Sequence, residues 1–303
     1  MKKGGDFARP SRKGGGRGAL KKDEAGAARS KRMPTDAELE AGSSAHYEDP
    51  AYYTKTYRDR LEDVRFYTDL AVSRGGPVLE YGCGNGRIAV PIARHGIEVV
   101  GVDLSAAMLA DLRERLRREP PQVQKLMRLR RGDMRSVRLR RRFPLVLCTF
   151  NAFLHLYTRQ DVERFLARAR EHLEPGGELC FDLSIPEPSE LIRKPERAYF
   201  APRFRYPAAP GEEEGPIIRY SERFDYDKLR QILFVAMEFS PVEGGESWMT
   251  PLAHRQFYPQ EIEALLHYNG FSITERWGDF DGSPLGQESR VMIVACRARR
   301  TKR

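Results

Sequence analysis

Glu80-Tyr81-Gly82-Cys83-Gly84-Asn85-Gly86 places three glycines at alternate positions behind an acidic residue. Glycines spaced in this way serve a tight turn at positive φ and let a ligand approach the main chain closely. A helix opening behind the turn favours a negative group such as a carboxylate, for which the amides near Gly82 and Gly84 are candidates. The dinucleotide fingerprint G-x-G-x-x-G fails, because the position it requires is Arg87. The phosphate-loop ending G-K-[ST] is absent as well. Seventeen residues after Gly86, Asp103 is placed to accept hydrogen bonds from two ribose hydroxyls. Thirty residues further on stands Gly132-Asp133-Met134. His155 follows the apolar run Leu145–Phe150, and an imidazole of ordinary pKa titrates near neutrality, which makes it the candidate base. A capping or packing histidine is its competing role.

Strand and helix patterns alternate around these residues. Val78–Tyr81 reads as a strand ending at the glycine turn, and residues 88–93 as a short helix closed at His95-Gly96. Residues 98–102 form a second strand, and Ser105 caps the next helix, whose Met108, Leu109, Leu112 and Leu116 keep helical spacing. A basic strand is expected near 126–131. Leu145–Phe150 is continuously apolar, as a strand buried on both faces should be. Val162 to Leu173 mark a helix stopped at Pro175-Gly176-Gly177, and 178–183 another strand. Before them, an aromatic-rich segment from Tyr47 leads into one helix over about 50–74, ended by Gly75-Gly76-Pro77. The alternation predicts an α/β fold with a parallel sheet, helices on both faces, and the carboxyl ends of the strands on one ligand-binding rim.

The rhythm breaks at about 185–257. Residues 217–226, 230–239 and 246–257 read as antiparallel strands inserted after a core strand. The core resumes with a helix opened by Tyr258-Pro259 and strands over 271–277 and 291–296. The insertion carries Phe224, Tyr226, Phe234, Phe239, Trp248 and Phe257, more apolar surface than a free hairpin keeps in water. It is expected to form a lid over the site. The entry segment 47–57 and the loop 278–284 are the other candidates for covering it.

The landmarks Glu80–Gly86, Val102-Asp103-Leu104-Ser105, Gly132-Asp133 and the Pro175-Gly176-Gly177 turn, in this order, resemble the class I S-adenosylmethionine-dependent methyltransferases of small-molecule type. The resemblance covers about 77–184 by motif and 258–297 by element order. It implies a Rossmann-like, seven-stranded, mostly parallel sheet and S-adenosylmethionine as cofactor. It implies cofactor contacts from Glu80, Gly82, Cys83, Gly84, Gly86, Asp103, Leu104, Asp133, Met134 and Phe150. In that family the segment 150–155 faces the cofactor sulfonium, which makes Asn151 a candidate substrate residue beside His155. Tyr47, Tyr53, Arg255 and Tyr258 complete the candidate substrate set, Arg255 for an acidic group. The segment lacks the N/D-P-P-Y pattern of amino-group DNA methyltransferases.

The net charge of +9 is unevenly placed. Residues 1–33 hold eleven Lys or Arg against three acids, and 297–303 hold five against none, whereas 34–296 hold 36 against 40. Residues 1–40 have almost no large apolar side chains and read as a disordered basic tail ahead of a methyltransferase domain over 41–303. A mildly acidic body argues against a nucleic-acid surface, so an RNA or protein methyltransferase using the basic ends is the rival enzyme, and a non-catalytic cofactor-binding module the rival of another class. No run of eighteen apolar residues and no secretory leader occur. Four cysteines without a C-x-x-C pair support neither a metal ribbon nor a disulfide framework. A cytoplasmic enzyme without a metal, acting on a small molecule, is the expectation; the oligomeric state stays open.

Overall fold

A computed structural model of the chain describes residues 36–209 and 211–299. The expected basic tail lies outside the described residues up to 35. From there helix α1 (Asp36–Ser44) takes up the last residues assigned to that tail. A short 3₁₀ turn (Ala45–Tyr47) leads to α2 (Pro50–Tyr57), where Asp49 caps the first turn through Tyr52 N at 2.9 Å. Helix α3 (Glu62–Arg74) follows. The single helix expected over 50–74 is therefore two. The chain between them turns at 58–61, where the Arg60 carbonyl accepts from the Arg87 side chain instead of from a helical amide.

The core then runs β1 (Val78–Tyr81), α4 (Ala89–Arg94), β2 (Val99–Asp103), α5 (Ala106–Arg117), α6 (Pro121–Leu126), β3 (Met127–Arg131), β4 (Phe143–Cys148), α7 (Arg159–His172) and β5 (Leu173–Ser184). Ser105 caps α5 as its sequence requires, its hydroxyl accepting from Met108 N at 3.1 Å. Strand β5 begins before the Pro175-Gly176-Gly177 turn. Leu173 pairs with Phe143 and Glu178 with Leu145, so the turn is bulged out of a continuing strand. Past it come α8 (Pro188–Leu191), β6 (Tyr199–Phe200), β7 (Phe204–Arg205), β8 (Ile217–Asp227), β9 (Ile232–Pro241) and β10 (Trp248–Arg255). The core closes with α9 (Pro259–Tyr268), β11 (Phe271–Trp277) and β12 (Val291–Ala298).

One sheet has seven strands in the order β11-β12-β5-β4-β1-β2-β3. All its contacts are parallel except those of β12 with β5 and β11, which is the expected Rossmann-like architecture. Central strands β1 and β4 are buried along nearly their whole length, and two apolar clusters fill the space under the helices on either face. The insertion forms a second, antiparallel sheet in the order β10-β9-β8-β6, with β7 also on β8. Its apolar face forms a cluster of its own. It is closed by Tyr52 of α2, which packs with Ile218, Met237 and Phe239.

Helix α1 lies so closely on β10 that a Cβ at Gly42 would stand 2.6 Å from Ala253 Cβ. Gly42→Leu is expected to lift α1 from the sheet, at a cost of about 1–3 kcal/mol for an overpacked contact. Urea melts and limited proteolysis near residues 40–57 check this; unchanged stability and unchanged cleavage would show that α1 does not hold the segment.

Candidate active site

Positive φ at Gly82 (66°), Gly84 (53°) and Gly86 (81°) turns the chain sharply at the carboxyl end of β1. At Gly82 space matters too, because a Cβ there would meet Ala152 Cβ at 2.8 Å. The amides of this turn bond inward. Cys83 N donates to Val102 O at 3.1 Å, Gly84 N to Asp103 Oδ2 at 2.7 Å and Gly86 N to Cys83 O at 2.9 Å. The Gly84 amide expected to hold a ligand carboxylate therefore holds Asp103 instead. Ser105 N donates to the other oxygen, Oδ1, at 2.8 Å. Burial raises the Asp103 pKa, and the amide hydrogen bonds only partly offset it.

The turn opens on a cavity of about 470 Å³. Of the expected cofactor residues, Gly82, Gly84, Asp103, Leu104, Asp133, Met134 and Phe150 line it. Tyr47, Tyr53 and His155 line it too. Glu80, Cys83 and Gly86 do not. Glu80 is buried below the floor, where its Oε1 accepts from the Thr149 hydroxyl at 2.8 Å and Oε2 has no partner. Burial pushes its pKa up to about 8. Cys83 is buried against Gly101 and Gly86 against Leu112, so both shape the turn from behind.

Three substrate candidates fall outside the lining. Arg255 is buried, donates to Glu261 at 2.6 Å and stacks over Phe257 at 4.4 Å, so it is held inside the fold and away from the cavity. Tyr258 is 42% exposed at the start of α9. Asn151 faces away, its Oδ1 accepting from Ser184 N at 2.7 Å. His155 is placed as expected but does not titrate as expected. Desolvation, aided by His46, lowers its pKa to about 4, so it is neutral at neutral pH and a weak base. Asp133 is at the rim with a partner not foreseen. Burial raises its pKa, but hydrogen bonds from Arg135 prevail and hold it below the usual value. Arg135 also reaches Asp161 at 2.8 Å.

No residue of 185–257 is among those lining the cavity. Its cover is the segment 43–53, with Ser43, Ser44 and Glu48 joining Tyr47 and Tyr53, and the insertion supports that cover from behind through α1 and Tyr52. Ser105 ties the cover to the rim by donating to Tyr47 O at 3.2 Å. Loop 278–284 lines a separate hollow with Arg60, and Phe280 is buried against Phe66 and Tyr67. Sequence reasoning also missed the device that aims Phe150. Phe150 and Asn151 both have positive φ, 53° and 63°. The buried Asp182 carboxylate accepts from their amides at 2.7 and 3.1 Å and from the Tyr67 hydroxyl at 2.6 Å. An acid within the apolar stretch Leu179–Leu183 was the available signal. Arg87 lies over the Phe150 ring at 4.2 Å and is ion-paired to Asp63.

A carboxyl whose folded pKa is raised stabilises the fold in its protonated form. That stability is present below the unfolded pKa and is lost as pH rises through the folded value. For Glu80 the window runs from about 4.5 to about 8. Glu80→Gln is expected to flatten the fall in unfolding free energy across that window by on the order of 5 kcal/mol, seen in urea titrations of the ligand-free protein at several pH values. Parallel pH profiles for variant and wild type would remove Glu80 from this role.

Residues 78–177 match a family model described as a methyltransferase domain. A dTDP-3-amino-3,4,6-trideoxy-alpha-D-glucopyranose N,N-dimethyltransferase of Streptomyces venezuelae is 31% identical over 129 residues, which are 42% of this chain and 51% of that one. The putative methyltransferase YqeM of Bacillus subtilis (strain 168) is 28% identical over 243 residues, 77% of this chain and 89% of that one. Among solved structures, the CcbJ methyltransferase from Streptomyces caelestis aligns with a TM-score of 0.69 at 25% identity, covering 85% of this chain and 99% of that one. The chain spans about half the length of the first curated relatives it matches. Residues 78–177 are thus similar to a methyltransferase domain, and the seven-stranded sheet has the Rossmann-like fold of the solved methyltransferase with which the chain aligns.

Proposed function

We propose that this protein transfers a methyl group from S-adenosylmethionine to a nucleophilic atom of a small molecule, an amine such as that of an amino sugar being the favoured acceptor. The observation that carries the reading is one cavity lined by two chemically different sets of groups. One set centres on the Asp103 carboxylate, which accepts from Gly84 N at 2.7 Å and Ser105 N at 2.8 Å and suits ribose hydroxyls as further donors. Leu104 and Met134 offer apolar contact there for a base, and Gly82 and Gly84 present side-chain-free main chain. The other set is Tyr47, Tyr53, His155 and Tyr157, neutral groups that suit a small polar acceptor.

The cofactor supplies an electrophilic methyl on a sulfonium that leaves as a neutral thioether, so no acid is needed at the leaving group. The residues of this chain bind, orient and exclude water. Holding the two partners in line can contribute on the order of 7–11 kcal/mol in favourable cases. The amino-sugar acceptor is supported by the name of the Streptomyces venezuelae relative. A cytoplasmic setting is supported by four unpaired, buried cysteines. No helix among the described residues is long and apolar enough to cross a membrane, and no group of metal-ligating side chains occurs among them.

Calorimetry is expected to show S-adenosylmethionine binding that Asp103→Ala weakens by about 1–3 kcal/mol, the cost of unpaired polar groups. Mass spectrometry after incubation with the cofactor and a nucleotide-linked amino sugar is expected to show methylated product. Cofactor binding without methylation of any amine, hydroxyl or carbon acceptor would leave a binding module. No cofactor binding would overturn the reading altogether.

A further inference from the structure

A directed chain of hydrogen bonds runs into the cavity from outside it. It begins at the backbone carbonyl of Ala253 on β10, which can only accept. The Tyr157 hydroxyl donates to that carbonyl at 2.9 Å. A phenol has one proton, so the Tyr157 oxygen can only accept from His155 Nδ1, 3.1 Å away. His155 is therefore protonated on Nδ1. In the neutral ring Nε2 is then an acceptor, and the Tyr47 hydroxyl, 2.8 Å away, must donate to it. With its only proton committed, Tyr47 presents lone pairs to the cavity and no donor.

We infer that Tyr47 positions the nucleophile by accepting a hydrogen bond from its N–H, and that the Ala253 carbonyl enforces this polarity through Tyr157 and His155. The inference rests on the methyl-transfer reading above. The surroundings keep the chain neutral. Burial holds His155 near a pKa of about 4, His46 near about 4 and His254 well below its ordinary value. The His254 ring is 5.0 Å from the His155 ring. Tyr53 and Tyr57 are neutral phenols beside Tyr47, and Asp103 is the acid that acts on it.

The polarity matters for the chemistry. The nitrogen lone pair must form the new N–C bond while the pair of the breaking C–S bond returns to sulfur. Positive charge passes from sulfur to nitrogen, which keeps its proton until solvent takes it. A hydroxyl that donated to the nitrogen would tie up the attacking lone pair. An oxygen that accepts from the N–H leaves the lone pair free. Its hydrogen bond strengthens as the nitrogen becomes cationic, because charge-assisted bonds are about twice as strong as neutral ones. An interaction stronger in the transition state than in the ground state raises kcat rather than lowering KM.

Two measurements test this. The first is nitrogen NMR of the protein labelled with ¹⁵N-histidine, with His155 assigned by its loss in His155→Gln. His155 is expected to carry its proton on Nδ1 and none on Nε2 from about pH 6 to about pH 8, and a proton on Nε2 overturns the inference. The second is kinetic. Tyr157→Phe removes the partner of Nδ1 and frees the ring to change tautomer. It is expected to lower kcat about 10-fold with the acceptor KM and cofactor affinity unchanged. Tyr47→Phe should cost at least as much, and the double variant no more than Tyr47→Phe alone, because both act through one chain. Wild-type kcat in Tyr157→Phe, a loss confined to KM, or additive losses overturn it. A wild-type protein that methylates no acceptor sinks the preceding reading, while the tautomer measurement stands or falls by itself.

Discussion

At the carboxyl rim of a parallel sheet, backbone amides leave the ladder with no strand partner. Tight turns there must find acceptors elsewhere, because a buried amide without one costs about as much as a lost hydrogen bond. Two carboxylates at strand ends meet that need. Asp103 takes the amides of Gly84 and Ser105, which joins the turn after β1 to the start of α5. Asp182 takes the amides of Phe150 and Asn151, which joins the turn after β4 to the end of β5. Four strand ends and one helix start are thereby locked around a single hollow. The same bonds that satisfy the turns set the spacing of its walls.

Burial makes these acids costly, and their pKa values rise accordingly. Glu80 is the extreme case, with one oxygen bonded to Thr149 and the other bare beneath the cavity floor. Several other buried side-chain atoms also lack a partner, among them His46 Nδ1, His254 Nε2 and Glu261 Oε2, each a cost the rest of the fold must offset. Stability and binding are in tension at these positions. The apolar clusters on both faces of the sheet supply the excess that lets the rim keep them.

The antiparallel insertion works at second hand. Its apolar face holds Tyr52, its outer strand β10 holds α1 through Gly42, and together they set the segment 43–53 over the cavity. It also reaches the site through polarity rather than surface, since the Ala253 carbonyl is the fixed end of the chain that orients His155 and Tyr47. An element with no side chain in the pocket can in this way govern what the pocket presents to an acceptor.

The order of strands and helices, the glycine turn and the rim position of Asp103 and Asp133 were legible in the sequence, because each follows from a local pattern. Alternate glycines demand a positive-φ turn, Ser105 demands a helix behind it, and continuous apolar runs demand strands buried on both faces. Arg255, Tyr258 and Asn151 were misread because residue type says nothing of which partner is nearest. Arg255 found Glu261 and Phe257, and Asn151 found Ser184. Glu80, Cys83 and Gly86 belong to the motif yet face inward, since a turn has two sides and its pattern does not say which one meets the cavity. The low pKa of His155, the Asp182 cradle and the roof built from 43–53 arise from groups up to 115 residues apart in the chain. Desolvation and hydrogen-bond direction depend on every neighbour in space, so only the tertiary structure could decide them.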